Sequence, residues 1–231
     1  MTPIYIQVSD FEPQLSLHLS ALAEIAPLIW QRGWAEANAG NVSIRLSEVG
    51  DVPHEAIHYL VSRTGTRYRQ FANDPMQNMM IIQVQNGEWQ AVDEGLKPTS
   101  EWDAHLAIHQ HLIHIKSPAK VVLHSHPNSV IAISHHDICQ DVVRLNKELA
   151  EMLPELTLYL PKGISICPHL PPGSQALASA SGACLHDSNA IIWLKHGLLC
   201  MGETLDQAFD FMEIIDKACD IWLQLARSYP K

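Results

Sequence analysis

The sequence predicts a single α/β domain over residues 1–231, with a mostly antiparallel central sheet sandwiched by helices. Three observations carry that expectation. Short apolar runs with a period of two recur between longer segments that carry a helical stripe. Their order is mixed, not a strict strand–helix–strand alternation. A chain of 231 residues that is 47% hydrophobic can bury one large core.

In chain order, QLSLHLSALAEIAPLIWQRGW places Leu15, Leu19, Leu22, Ala26 and Ile29 on one helical stripe, with Gly33 as its stop. NVSIRLS alternates Val42, Ile44 and Leu46 with Ser43, Arg45 and Ser47. AIHYLVS follows, and MMIIQVQNGEWQAV carries Asn86-Gly87 at a turn, so strands and a hairpin are expected. Pro98, Ser100 as a cap and Asp103 as its capping-box partner open a helix through EWDAHLAIHQHLIHI. Beyond the run VVLHSHP, SVIAISHH and DVVRLNKELAEML read as helices, LTLYLP and GISICP as strands, and SQALASASGACLHD as a small-residue helix after a Pro-Pro-Gly break. NAIIWLKHGLLCMG reads as two strands meeting at His196-Gly197, and TLDQAFDFMEIIDKACDIWLQLAR as a long amphipathic helix capped by Thr204.

Composition removes several classes of function. A formal charge of −10 without a long basic run argues against a nucleic-acid surface. The one local basic cluster is Arg63, Arg67 and Arg69, around a glycine turn, which suits a solvated loop or a small anion. No run approaches the ~20 apolar residues of a membrane span, and the start MTPIYIQVSDFEP has neither a basic nor an apolar leader region, so a cytoplasmic protein is expected. The cysteines Cys139, Cys167, Cys184, Cys200 and Cys219 are scattered and never paired as Cys-x-x-Cys, which predicts reduced thiols.

The stretch VVLHSHPNSV carries the chemistry. On a strand, His124 and His126 share a face while Ser125 takes the other. A single strand histidine is ordinarily satisfied or half-exposed, and this chain has 14 histidines. Catalytic zinc takes three protein ligands and keeps one position open. His196 is the candidate third ligand: it too ends an apolar strand, and a glycine follows it. Glu101 lies in a first helical turn, where the dipole favours a carboxylate. It shares a helix face with His105 and His109, which leaves a separate histidine stripe open as another site. Spacing thus points to a metal-dependent enzyme and assigns no reaction.

Four blocks, GWAEANAGNVSIRL, KPTSEWDAHLAIH, VVLHSHPNSVIA and IIWLKHGLLCMGETLDQAFD, lie in this order over residues 33–210. Together they resemble the class II aldolase/adducin family, and within it the branch that acts on ketose 1-phosphates, to which LPKGISICPHLPPGSQAL and Glu155 also point. The resemblance implies a zinc-dependent aldolase that releases dihydroxyacetone phosphate from a phosphorylated ketose. It implies Zn²⁺ on His124, His126 and His196, with Glu101 as fourth ligand in the empty enzyme and acid/base in the occupied one. It further implies a homotetramer with active sites at subunit interfaces, where Glu155 reaches a neighbouring site as a second acid/base. By the same resemblance Asn38, Gly40, Asn41, Thr64, Gly65, Thr99 and Ser100 line the phosphate pocket, with Arg63, Arg67 and Arg69 in support. Glycine turns and a helix start suit that role, because they present backbone N–H groups to an anion. The family also holds other ketose phosphate aldolases, pentulose phosphate 4-epimerases and dehydratases with the same zinc site. An adducin-like interaction module would not need the ligands.

Overall fold

A computed structural model describes residues 8–46, 56–93 and 95–228. Ser47, expected to close the first strand, lies outside the described residues. The first helix, α1 (Glu12–Gln31), buries Leu15, Leu22, Ile25, Ala26 and Ile29. This is the predicted stripe with Ile25 added and Leu19 half-buried. It stops where expected: Gly33 has φ +74°, Gly33 N–H donates to the Trp30 carbonyl at 2.9 Å and Trp34 N–H to the Ile29 carbonyl at 3.2 Å. That pair of bonds caps the free carbonyls of the last turn in a Schellman arrangement.

The strands are β1 (Asn41–Arg45), β2 (Ala56–Ser62), β3 (Met79–Gln85), β4 (Glu88–Ala91), β5 (Val121–Ser125), β6 (Ser165–Cys167), β7 (Ala190–Trp193) and β8 (Gly197–Gly202). They form one eight-stranded sheet in the order β4-β3-β2-β1-β5-β8-β7-β6. Every pairing is antiparallel except β6 with β7. Asn86 and Gly87 both have positive φ, +54° and +81°, which is the turn that matches the twist of the β3–β4 hairpin.

The remaining helices are α2 (Trp102–His114), α3 (Asn128–Ile133), α4 (Val142–Met152), α5 (Glu155–Tyr159), α6 (Gln175–Cys184) and α7 (Leu205–Ser228). The two-residue period of the strands divides them into two layers. Val122, Leu199 and Met201 pack under α2 and α6 with Ile108 and Leu177. Leu123, Leu198 and Cys200 pack on the other side with Ile29 of α1, Val130 of α3, Leu149 of α4 and Met212 of α7. The expected sandwich of helices about a mostly antiparallel sheet is the fold observed.

Two local expectations are corrected. LTLYLP is not a strand. Pro154 opens the short helix α5 at φ −57°, and burial follows the helical spacing: Leu156 and Leu160 are inside while Leu158 is 78% exposed. Ser100 does not cap α2. Glu101 occupies the N-cap position, and its side chain accepts no cap bond, because its carboxylate faces the histidines described below. Thr204 does cap α7, accepting from Gln207 N–H at 3.1 Å. Among the described residues no helix is long and apolar enough to cross a membrane, and the five cysteines are free.

Candidate metal centre

The ends of three neighbouring strands and the start of α2 meet at one edge of the sheet. β5 lies between β1 and β8, and its residue His124 pairs with Asn41 on one side and Leu199 on the other. His126 follows just past the end of β5, and His196 precedes β8 in the turn from β7. That turn is made by Lys195, at φ +62°, and not by Gly197. Gly197 is required for a different reason: a Cβ there would lie 2.5 Å from the Ser125 carbonyl and 2.9 Å from ring atoms of both His124 and His126. The three imidazoles close up only over a bare backbone.

The side chains of His124, His126 and His196 offer nitrogens that all lie within 4.8 Å of one another. His124 Nδ1 lies 3.1 Å from the Leu198 carbonyl and His126 Nδ1 lies 2.8 Å from Glu36 Oε1. Both partners accept only, so each Nδ1 carries the proton and each Nε2 presents a lone pair. His124 Nε2 and His126 Nε2 stand 3.2 Å apart. Two nitrogens bonded at 2.0–2.1 Å to one tetrahedral zinc sit about 3.3 Å apart, so this spacing fits a shared ion. His196 Nε2 lies 3.3 Å from Glu101 Oε1, and His124 Nε2 lies 3.5 Å from Glu101 Oε2, which brings the expected fourth group to the same point.

Electrostatics keep His124 and His196 neutral. Burial, and then the neighbouring His126 and His196, hold the His124 imidazole well below its usual range. Burial and then His126 bring His196 down to about 4. Burial raises the Glu101 carboxyl while the Asn41 amide, donating from Nδ2 to Oε2 at 2.8 Å, lowers it. The indole of Trp193 backs the set, with ring centres 4.8 Å from His124 and 5.0 Å from His196. Its N–H is fixed by Ser181 Oγ at 2.9 Å.

A cavity of about 150 Å³ opens over the histidines, and Asn38, Gly40, Asn41, Thr64, Gly65, Thr99 and Ser100 all line it together with Glu101, His126 and His196. The two loops that supply them are tied by Thr64 N–H to the Lys97 carbonyl at 3.0 Å and Thr99 N–H to the Ser62 carbonyl at 2.8 Å. Gly40, at φ +81°, leaves no room for a side chain: a Cβ would meet the Tyr68 ring at 2.8 Å and the His124 carbonyl at 3.0 Å. Of the three arginines only Arg63 lines this cavity. Arg67 and Arg69 are exposed at the short turn beyond it. Glu155 is exposed on α5 and is not part of the cavity wall.

Three contributors escaped the sequence reading. Glu36 and the Leu198 carbonyl set the tautomers of two histidines, and no spacing rule marks residues so distant in the chain. Ser43 joins the two rings of the helix stripe. Its Oγ lies 2.8 Å from His105 Nδ1 and 2.8 Å from His109 Nε2, and both histidines are fully buried. The stripe is therefore a buried polar tie between α2 and β1, not a second metal site.

Comparison with known proteins follows the same line. The family model for the Class II Aldolase and Adducin N-terminal domain matches residues 20–223. The rhamnulose-1-phosphate aldolase of Bacteroides thetaiotaomicron is 31% identical, over 94% of this chain and 88% of its own. That of Listeria welshimeri is 29% identical, over 90% and 83%. Among solved structures, a sugar-phosphate aldolase from Thermotoga maritima matches with a TM-score of 0.83 at 26% identity, over 94% of this chain and 98% of that one. The L-fuculose-1-phosphate aldolase of Thermus thermophilus, at 18% identity and a TM-score of 0.65 over 93% and 98%, shares the fold. A family match over most of the chain, with the histidines and the carboxylate converging where the fold brings three strand ends together, makes this chain an aldolase, a lyase of the class II aldolase/adducin family.

Proposed function

We propose that the chain is a zinc-dependent aldolase that cleaves L-rhamnulose 1-phosphate into dihydroxyacetone phosphate and L-lactaldehyde. The observation that carries the chemistry is the 3.2 Å spacing of the His124 and His126 Nε2 atoms, with Glu101 turned toward the same point. The relatives named rhamnulose-1-phosphate aldolase support the substrate.

When bound to His124, His126 and His196, zinc supplies Lewis-acid stabilisation of the negative charge that develops on the ketose oxygens as the C3–C4 bond breaks. The protein's own residues do the rest. The electron pair of that bond is left on C3, and Glu101 returns a proton there. Asn41 holds Glu101 Oε2 at 2.8 Å, which keeps the carboxyl beside the site once substrate takes its position on the metal. The protonated carboxyl is the form that donates to C3. The phosphate sits in the wall formed by Asn38, Gly40, Asn41, Thr64, Gly65, Thr99 and Ser100, whose side-chain amides and hydroxyls can donate to it while the Thr64 and Thr99 amides tie the loops, with Arg63 beside them.

The proton on the C4 hydroxyl must leave as that oxygen becomes the aldehyde, and Glu155 of a neighbouring subunit takes it in a homotetramer with sites between subunits. Support comes from the surface around Glu155: Leu158 and Tyr159 are 78% and 48% exposed on the same short helix, apolar area that a subunit contact would cover. Glu155→Ala should slow cleavage at unchanged zinc content, and mixing it with His126→Ala subunits should restore activity. Full activity of Glu155→Ala alone removes it from the reaction.

A coupled assay for dihydroxyacetone phosphate with purified protein, offering L-rhamnulose 1-phosphate and L-fuculose 1-phosphate in parallel, tests the substrate. The expected result is turnover of the first at least tenfold above the second. The reverse ranking, or release from neither, rejects the assignment.

A further inference from the structure

We propose that Glu36 is a positioning residue for the metal centre, holding His126 in the orientation and tautomer that bind the ion; this rests on the reading that the three histidines hold zinc. His124 is fixed by its strand: its Nδ1 meets the Leu198 carbonyl of the neighbouring strand, and its side chain is fully buried. His126 lies beyond the strand end, its side chain is 16% exposed, and Glu36 Oε1 at 2.8 Å is the partner of its Nδ1. A carboxylate on the outer nitrogen fixes the ring and makes the inner nitrogen a stronger donor.

The backbone is built to deliver this carboxylate. After α1 stops at Gly33, the carbonyl of Trp34 accepts both His126 N–H at 2.8 Å and Ser125 Oγ at 2.6 Å. Trp34 itself is buried, so residue 34 is pinned to residues 125 and 126, and Glu36 follows two positions on. Ala39 N–H closes the next turn on the Glu36 carbonyl at 2.8 Å. That turn holds Ala37 at φ +48°, a left-handed conformation that costs a residue with a Cβ about 1 kcal/mol. The same loop ends in Asn41, which holds Glu101. One segment of the chain thus sets both the least buried histidine and the carboxylate.

Glu36 is 67% exposed and is not part of the buried core. A surface ion pair contributes little to folding, so its value lies in the ring it holds. The test is zinc affinity of the full-length, chelator-stripped protein, measured by competition with a chromogenic chelator for wild type, Glu36→Ala, Glu36→Gln and His126→Ala. Glu36→Ala should weaken zinc roughly 10- to 100-fold. Glu36→Gln, which keeps an acceptor without the charge, should fall between. Thermal unfolding of the stripped proteins should be unchanged, and ¹⁵N NMR of the zinc-loaded wild type should place the His126 proton on Nδ1. Glu36→Ala affinity within twofold of wild type overturns the inference, as does a matching drop in thermal stability, which would make Glu36 structural. Wild type binding zinc no better than His126→Ala overturns the metal centre itself, and the inference with it.

Discussion

Asn41 donates from Nδ2 to Glu101 Oε2 at 2.8 Å, joining the first residue of β1 to the residue at the N-cap position of α2. Asn41 also pairs across the sheet with His124. A single side chain therefore ties the carboxylate to the strand that carries the first histidine. Asn41→Ala should lower kcat by on the order of 10-fold or more through misplacement of Glu101, with zinc retained. A change confined to KM would assign Asn41 to phosphate binding alone.

Glu101→Gln should keep bound zinc and lose turnover by about 100-fold or more, since the amide cannot carry the proton to C3. Near-normal exchange of a C3 proton of dihydroxyacetone phosphate with solvent in that variant would remove Glu101 from proton transfer.

Gly197→Ala adds a methyl group where 2.5 Å separates its Cβ from the Ser125 carbonyl. Overpacking of this kind costs about 1–3 kcal/mol, and here it falls between the two rings that must approach. Reduced zinc content in elemental analysis, together with a lower unfolding temperature, is expected. A variant with full zinc and wild-type stability would show that the turn relaxes freely.

The buried tie of Ser43, His105 and His109 predicts acid sensitivity. Burial brings His105 down to about 3, and burial, then His105 and Arg45, hold His109 well below 6.5. Between pH 6.5 and the folded-state values, the unfolded chain binds protons that the folded one refuses. Stability from these groups is complete above pH 6.5 and falls with decreasing pH, by roughly 1.4 kcal/mol per unit for each histidine. Glu101 and Asp216, whose carboxyls are raised by burial, act in the opposite sense, while His124 and His196 of the metal-free protein, also lowered by burial, act in the same sense as the pair. The urea midpoint of metal-free protein should fall steadily from pH 6.5 to 4.5, and a flat midpoint over that range contradicts the buried neutral pair. Ser43→Ala, which strips both rings of their shared partner, should cost about 1–3 kcal/mol at neutral pH.

Much of this arrangement was legible in the sequence because periodicity reports burial. The stripe from Leu15 to Ile29, the Asn86-Gly87 hairpin and the shared face of His124 and His126 follow from local geometry alone. LTLYLP misled because Leu156, Leu158 and Leu160 alternate as a strand would, while Pro154 starts a helical turn whose i, i+4 pair is the buried one. Ser100 reads as a cap because capping chemistry is local, whereas Glu101 at the cap position answers to His124, His196 and Asn41. Glu36 and Ser43 act on histidines 90 and 62 residues away, and only the folded sheet brings such partners together.

On the proposed function, the His124, His126 and His196 centre runs the cleavage. It is tested most directly by following dihydroxyacetone phosphate release from L-rhamnulose 1-phosphate while chelator-stripped protein is titrated with zinc. Activity should rise in proportion to added zinc and level off at one ion per chain, with no response from His126→Ala. Full activity in the stripped protein, or an equal response from His126→Ala, would contradict it.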